Sequence, residues 1–287
     1  MVEGSAVLRG LRTFDGAVAL VTGGASGIGA ALGREMARRG ASVVLADRDG
    51  DLAQAEAVRI TAQGGRAESA TLDVRDAAAC AGLVADVFER QGRLDYLFNN
   101  AGIAVGGEVC DLTLEDWREA VEVNLMGVVH GVAAAWPRLL AQGFGHVVNT
   151  ASMAAFLPVA MAAPYGATKS AVLSLTRALR IEGAPNGVRV SALCPGVVRT
   201  PILDGGRHGR LRNFIPAATL AAMNERLRPM DVDAFARKAL DDVARGRKVI
   251  THPAWWRLVS WLGGAAPWLL EAATRREYAR VRALLGR

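Results

Sequence analysis

Val18-Ala19-Leu20-Val21-Thr22-Gly23-Gly24-Ala25-Ser26-Gly27-Ile28-Gly29 is the stretch whose reading decides the fold. Val18–Val21 predicts a short buried strand, and the glycine-rich turn after it opens into a helix over Gly27–Arg39. Glycine in such a turn permits a tight reversal, lets backbone N–H groups approach a phosphate, and allows helix and strand to pack closely. The helix N-terminus adds a field that favours an anion. The chain has 32 glycines, so the turn alone says little; its position between a strand and a helix gives it weight.

Working outward, apolar runs alternate with helical stretches. Strands are predicted at Val18–Val21, Ser42–Ala46, Ala67–Leu72, Leu94–Phe98, His146–Thr150, Val188–Leu193 and Lys248–Thr251. Helices are predicted at Gly27–Arg39, Gly50–Gln63, Ala77–Gln91, Leu114–Leu140, Tyr165–Glu182 and Val232–Arg245, the fourth opening on a Thr113/Asp116 pair that resembles a capping box. Such alternation implies an α/β fold with a parallel sheet covered on both faces. Gly205–Asn213 reads as the most loop-like insertion.

The composition narrows the function classes. The chain has 287 residues, 51% of them hydrophobic, enough for one large domain with a substantial core. Cys80, Cys110 and Cys194 lie far apart, without metal-ligand spacing, which fits a reducing compartment and no metal site. Met1–Asp15 carries no signal-like apolar core, and no stretch has the length of a membrane span, so the expected setting is cytoplasmic. The pI of about 9.8 suggests nucleic acid until the charge is located. Residues 245–287 hold nine Lys/Arg against two Asp/Glu, a net +7, whereas the whole chain is +6, leaving about −1 for the first 244. The basic excess belongs to the tail, and no nucleic-acid partner is expected.

Tyr165 and Lys169 stand four residues apart, on one face of a helix, in a chain with only three Tyr and three Lys. A cation about 5 Å away, at an effective dielectric of about 20, would favour the phenolate by about 3 kcal/mol, or about two pKa units. That is the size of shift a general base needs near neutrality. Asp47 closes the second strand, where a carboxylate accepts hydrogen bonds from an adenosine ribose and repels a 2′-phosphate, favouring NAD over NADP. Ser26 offers no phosphate clamp, while Arg48 could stack on adenine or hold a phosphate and keeps NADP open.

Thr22–Gly29, Asn99-Asn100-Ala101-Gly102, Asn124, Ser152, Tyr165-x-x-x-Lys169 and Pro195-Gly196 with Thr200 together resemble the short-chain dehydrogenase/reductase family in its single-domain branch. The resemblance runs in order from about Asp15 to Thr200. It implies a Rossmann-type, doubly wound, seven-stranded parallel sheet in one catalytic domain (residues 1–251); residues 252–287, a Trp/Arg-rich helical C-terminal extension that is not an independent domain, depart from it. By the same resemblance Tyr165 is the general acid/base, Lys169 hydrogen-bonds the nicotinamide ribose and lowers the tyrosine pKa, Ser152 holds the substrate oxygen, and Asn124 holds a relay water. Gly23, Ser26, Gly27, Ile28 and Gly29 would cradle the pyrophosphate, and Asp47, Arg48, Asp73 and Val74 would flank the adenosine. Asn100, Ala101 and Gly102 would lie beside the adenosine ribose, and Pro195, Gly196, Val198 and Thr200 would position the nicotinamide. The implied assembly is a homo-oligomer, dimer or tetramer.

The family's common C-terminal ending is missing. Instead Trp255, Trp256, Trp261 and Trp268 fall in the tail, and Pro267 opens a last predicted helix with Leu270, Tyr278, Val281 and Leu285 on one face. Two expectations follow for residues 252–287: a lid or subunit interface that buries the tryptophans, or peripheral contact with the inner face of a membrane. Ala104, Val105, Met153–Pro158, Met161, Ile202, Leu203, Phe214 and Ile215, the last four in the Val197–Pro216 loop, form an apolar expected pocket wall, suited to a hydrophobic secondary alcohol or ketone. Arg207, His208, Arg210 and Arg212 read as a solvated loop; their alternative is a receptor for an anionic substrate such as a 3-oxoacyl or 3-hydroxyacyl thioester. The contrasting class is a non-catalytic, membrane-associated binding protein on the same fold.

Overall fold

The computed structural model describes residues 10–212 and 217–284, without the side chains of 217–220, 223 and 284. Met1–Arg9, Asn213, Phe214, Ile215, Pro216 and Leu285 therefore lie outside the described residues.

Seven parallel strands form the sheet: β1 (Val18–Thr22), β2 (Ser42–Asp47), β3 (Arg66–Thr71), β4 (Tyr96–Asn99), β5 (Gly145–Thr150), β6 (Val188–Leu193) and β7 (Val249–Ile250). They lie in the order β3-β2-β1-β4-β5-β6-β7, with β1 between β2 and β4. Period-two alternation divides the strand residues between two cores. Val18, Leu20, Val44 and Ala46 pack on one face with Val84, Val128, Val132 and Val172, while Ala19, Val21, Val43 and Leu45 pack on the other with Leu32, Met36, Ile60, Phe235 and Leu240. Helices α1 (Gly27–Arg38), α2 (Gly50–Ala62), α3 (Ala77–Gln91), α4 (Leu114–Val121), α5 (Gly127–Gln142), α6 (Ala163–Gly183), α7 (Ala217–Arg226) and α8 (Val232–Ala244) complete a Rossmann-type α/β fold. Strand order reverses between β1 and β4, and in such sheets ligands bind in the crevice beyond the carboxyl ends of the strands there.

The predicted strands fall on the observed ones with shifts of one or two residues at their ends. The predicted single helix over Leu114–Leu140 is interrupted. Its capping box forms as expected, but Glu122–Met126 widens into a π turn between α4 and α5, with Asn124 at its centre. Two features escape the sequence reading. Helix α7 lies in a stretch with no predicted element, and Arg210–Leu211, in the presumed loop, pairs in parallel with Val105–Gly106.

Two helices follow β7: α9 (Trp256–Ala265) and α10 (Pro267–Leu284). Among the described residues no helix is long and apolar enough to cross a membrane.

Candidate active site

The glycine turn has the shape its sequence implies. Gly23 has φ +66°, and a Cβ there would stand 2.8 Å from Ala101 Cα; one on Gly29 would meet the Gly23 carbonyl oxygen at 2.0 Å. The cradle is closed to any larger residue, which is how backbone N–H groups are kept accessible to a diphosphate. Ser26 sits at the N-cap of α1 without a side-chain cap bond. Thr22 fastens the turn to the strand beside it: its Oγ accepts from Asn100 N (3.0 Å) and Ala101 N (3.1 Å), and the Asn100 amide donates to the Thr22 carbonyl (3.1 Å).

Asp47 ends β2 with both carboxylate oxygens engaged, accepting from Ala25 N (3.1 Å) and Asp49 N (3.0 Å). This fixes a negative charge at the adenosine end of the crevice. Arg48 beside it is exposed. Asp73 is chelated by the Arg75 guanidinium, which holds its carboxyl below the usual range, and buried Val74 gives its carbonyl to His130 Nδ1 at 2.9 Å.

At the other end of the crevice, β5 and α6 bring the proton-handling groups together. Lys169 is 3% exposed; its ammonium donates to the Thr150 carbonyl at 2.8 Å and stands 5.7 Å from the centre of the Tyr165 ring. Burial pushes its pKa down to about 8. The expected lowering of the tyrosine is not what the geometry yields. Burial raises the Tyr165 phenol above its ordinary value, with the Ser152 hydroxyl pulling the other way. The reason is desolvation: withdrawing a phenolate from water outweighs the neighbours that would stabilise it. Ser152 Oγ also accepts a hydrogen bond from Ala154 N at 3.1 Å, starting the short turn Met153–Ala155.

Asn124 is fully buried. Its Oδ1 accepts from Ile103 N (2.8 Å), and its Nδ2 donates to the Ile103 carbonyl (3.1 Å) and to Thr168 Oγ (3.4 Å). The π turn aims this amide inward, a frequent use of such turns. Asn124 therefore ties the segment after β4 to α6 beside Lys169; the Gly102 Cα carries no side chain, and a Cβ there would come within 3.3 Å of Lys169 Nζ and 3.2 Å of Asn124 Oδ1. Thr150 and Thr22 are functional positions that the sequence reading left without roles, although Thr150 stands two residues before Ser152.

The segment Pro195–Thr200 follows β6 and is held from behind. Gly196 N donates to the His252 carbonyl at 3.0 Å, Val198 bridges to Met230, and Thr200 Oγ donates to the Val198 carbonyl at 3.3 Å. Beyond it, the arginines expected to be solvated are paired. Arg207 meets Asp49, Arg210 meets Glu119, and Arg212 meets the fully buried Asp116 at 2.7 Å. These pairs tie the segment to the N-cap of α2 and to α4, while the Arg207 and Arg212 side chains stay exposed, as expected of a solvated loop.

The tail closes one side. Trp256 lies against Gly196, so that a Cβ on that glycine would stand 2.2 Å from the indole Nε1. Trp256 and Val259 pack with Phe156 and Leu157, from the loop after Ser152, and Tyr278 donates to Glu108 at 2.7 Å. Leu270, Tyr278 and Val281, expected on one face of the last helix, are partly or fully buried. Burial of all four tail tryptophans is not observed: Trp255, Trp261 and Trp268 are each more than half exposed. A cleft of about 580 Å³ between α6 and α10 is lined by Leu157, Ser170, Thr274 and Tyr278, and also by Ala154 and Pro158 from the expected pocket wall.

With glycine cradle, carboxylate and proton-handling groups in place, comparison with known proteins becomes informative. Residues 17–210 match the family model described as short chain dehydrogenase. The chain belongs to the short chain dehydrogenase family. It is similar to 1-deoxy-11-beta-hydroxypentalenate dehydrogenase of Streptomyces exfoliatus, at 43% identity over 190 residues, covering 65% of this chain and 69% of that protein. Among solved structures it resembles a short chain dehydrogenase/reductase from Burkholderia phymatum in complex with NAD (TM-score 0.77, 33% identity, 87% of this chain and 93% of that one). It also resembles a short-chain dehydrogenase from Sphingobium yanoikuyae in complex with NADPH (TM-score 0.72, 31% identity, 87% and 94% covered). As a member of this family the chain is an NAD(P)-dependent oxidoreductase. The matched residues stop at 210, so α9 and α10 lie beyond the family model.

Proposed function

We propose that this chain is an NAD-preferring dehydrogenase that interconverts a hydrophobic secondary alcohol and its ketone, with residues 1–251 as the catalytic domain and 252–287 as an extension that is not an independent domain. One observation carries the reading: Tyr165, Ser152 and buried Lys169 converge where β5 and α6 meet, at the end of the crevice opposite Asp47. Bound nicotinamide would supply the hydride acceptor or donor; the protein supplies position and proton transfer.

In ketone reduction the Tyr165 hydroxyl gives its proton to the substrate oxygen, and a phenol raised above its ordinary value is in that acid form at neutral pH. In alcohol oxidation the same oxygen takes the proton, so that direction accelerates as pH rises. Ser152 Oγ orients the substrate oxygen and donates to it as negative charge develops. Lys169 holds the nicotinamide ribose and relays the proton; Asn124 keeps α6 in register with the segment after β4.

Asp47 supports NAD, because an adenosine 2′-phosphate would meet a carboxylate already fixed by two backbone donors. Exposed Arg48 leaves NADP as the weaker alternative. The pocket wall supports a hydrophobic substrate: Met153 and Val105 are buried, Phe156 and Leu157 join the same apolar cluster, and the nearby arginines are occupied by carboxylates. The relative named for a hydroxypentalenate supports an alcohol as substrate. Purified protein should change the absorbance of the reduced cofactor saturably with a member of a panel of hydrophobic alcohols and ketones. No response across the panel, with NAD binding intact, would sink the substrate reading.

A further inference from the structure

Helix α9 has two apolar stripes where a surface helix needs one. Its inner stripe is Trp256, Val259 and Gly263, spaced three and four residues apart; it packs on Phe156 so closely that a Cβ on Gly263 would stand 2.1 Å from the Phe156 carbonyl oxygen. The outer stripe is Trp255, Leu258 and Trp261, three residues apart, with Trp255 also stacked on Trp256 at 4.3 Å between ring centroids; Trp268 and Leu269 stand at the start of α10. These five are between 52% and 64% exposed. Every exposed tryptophan among the described residues lies between Trp255 and Trp268. Five large apolar side chains exposed within residues 255–269 mark a contact site rather than ordinary surface.

Charge selects the occupant. The extension 252–287 holds six arginines against Glu271 and Glu277, a net +4, with Arg257 paired to Asp242 and Arg282 to Glu108. Arg275, Arg276 and Arg280 are exposed on α10, and Arg275 and Arg276 make no ion pair among the described residues. A second copy related by a two-fold axis would bring the same cationic face against itself. A surface of anionic headgroups complements both the arginines and the tryptophans, whose amphipathic rings suit the headgroup boundary. With no helix long enough to span, the geometry fits a segment lying in the interface plane.

We propose that the outer face of α9 and the start of α10, through Trp255, Leu258, Trp261, Trp268 and Leu269, docks on an anionic lipid bilayer. The inner face of the same helix covers the loop after Ser152 and Gly196, so docking brings the substrate mouth to the lipid boundary. That consequence rests on the hydrophobic-substrate reading; the docking itself does not.

The test is co-sedimentation of the full chain with vesicles of phosphatidylglycerol and phosphatidylcholine, against phosphatidylcholine alone. The expected result is binding at least about tenfold tighter to the anionic vesicles, weakened by high salt, with a blue shift of tryptophan emission. Leu258→Ser/Trp261→Ser/Trp268→Ser should weaken binding about tenfold or more while NAD titration is unchanged; Arg275→Glu/Arg276→Glu, on an exposed face, should do the same without touching the apolar stripe. Wild type that ignores anionic vesicles, or both variants binding as wild type does, would overturn the proposal. So would a vesicle-free dimer that the triple variant splits, which would give this face to a second copy. Vesicle binding without turnover of any hydrophobic alcohol would refute the substrate reading and leave the docking standing.

Discussion

Replacing Lys169 with methionine should abolish turnover and stabilise the cofactor-free protein. The ammonium is 3% exposed, and burial lowers its pKa from 10.5 to about 8. At about 1.4 kcal/mol per unit, keeping the charge at neutral pH costs about 3 kcal/mol. Methionine fills much of the same volume without a charge. It leaves the Thr150 carbonyl without its 2.8 Å donor, which costs about 1–2 kcal/mol. The balance is a gain of about 1–2 kcal/mol, or a rise in melting temperature of about 2–8 °C for a chain of this size. The sign with pH follows from proton counts. Below about 8 both folded and unfolded lysine are protonated; between about 8 and 10.5 the unfolded chain binds more protons, so wild-type stability rises with pH there. The variant has no such group. Its advantage should therefore be full at pH 7 and shrink steadily from pH 8 towards 10.5, as measured by denaturant melts of the two proteins side by side. A variant less stable at pH 7, or a difference indifferent to pH across that window, would refute the reasoning.

Three further outcomes can be checked. Gly29→Ala puts a Cβ 2.0 Å from the Gly23 carbonyl and should weaken NAD binding by at least about tenfold in a fluorescence titration, because the cradle itself must shift. Asp47→Ser removes the fixed carboxylate and should move cofactor preference towards NADP, read as the ratio of the two kcat/KM values. Gly196→Ala drives a methyl into the Trp256 indole at 2.2 Å and should displace α9, seen as a red shift of tryptophan emission and faster proteolysis of the tail.

The sheet and the cofactor end were legible because their signals are local. A strand, a glycine turn and an acid closing the next strand lie within Val18–Asp47, and each is fixed by its neighbours. Tyr165 and Lys169 are likewise one helical turn apart. What the sequence concealed depends on contacts between distant segments. The Arg207, Arg210 and Arg212 run reads as a solvated loop and stays largely exposed, but its partners Asp49, Glu119 and Asp116 come from elsewhere in the chain and leave no local signal. Only the resemblance places Asn124 in the site; the π turn around it and its bonds to Ile103, 21 residues away, leave no local signal. The direction of the Tyr165 shift was missed for a related reason. Spacing gives the distance to a cation but not the depth of burial, and here burial dominates. The tail sorted its tryptophans by face, Trp256 inward and the other three outward, which composition alone does not reveal.

Proton transfer by Tyr165 is tested most directly by Tyr165→Phe. The phenyl ring keeps the packing and removes one oxygen. Steady-state turnover of a responsive alcohol, measured beside a fluorescence titration with NAD, should show kcat lower by a factor of about 10²–10⁴ with cofactor affinity unchanged. Turnover at the wild-type rate in that variant would contradict the role assigned to the phenol.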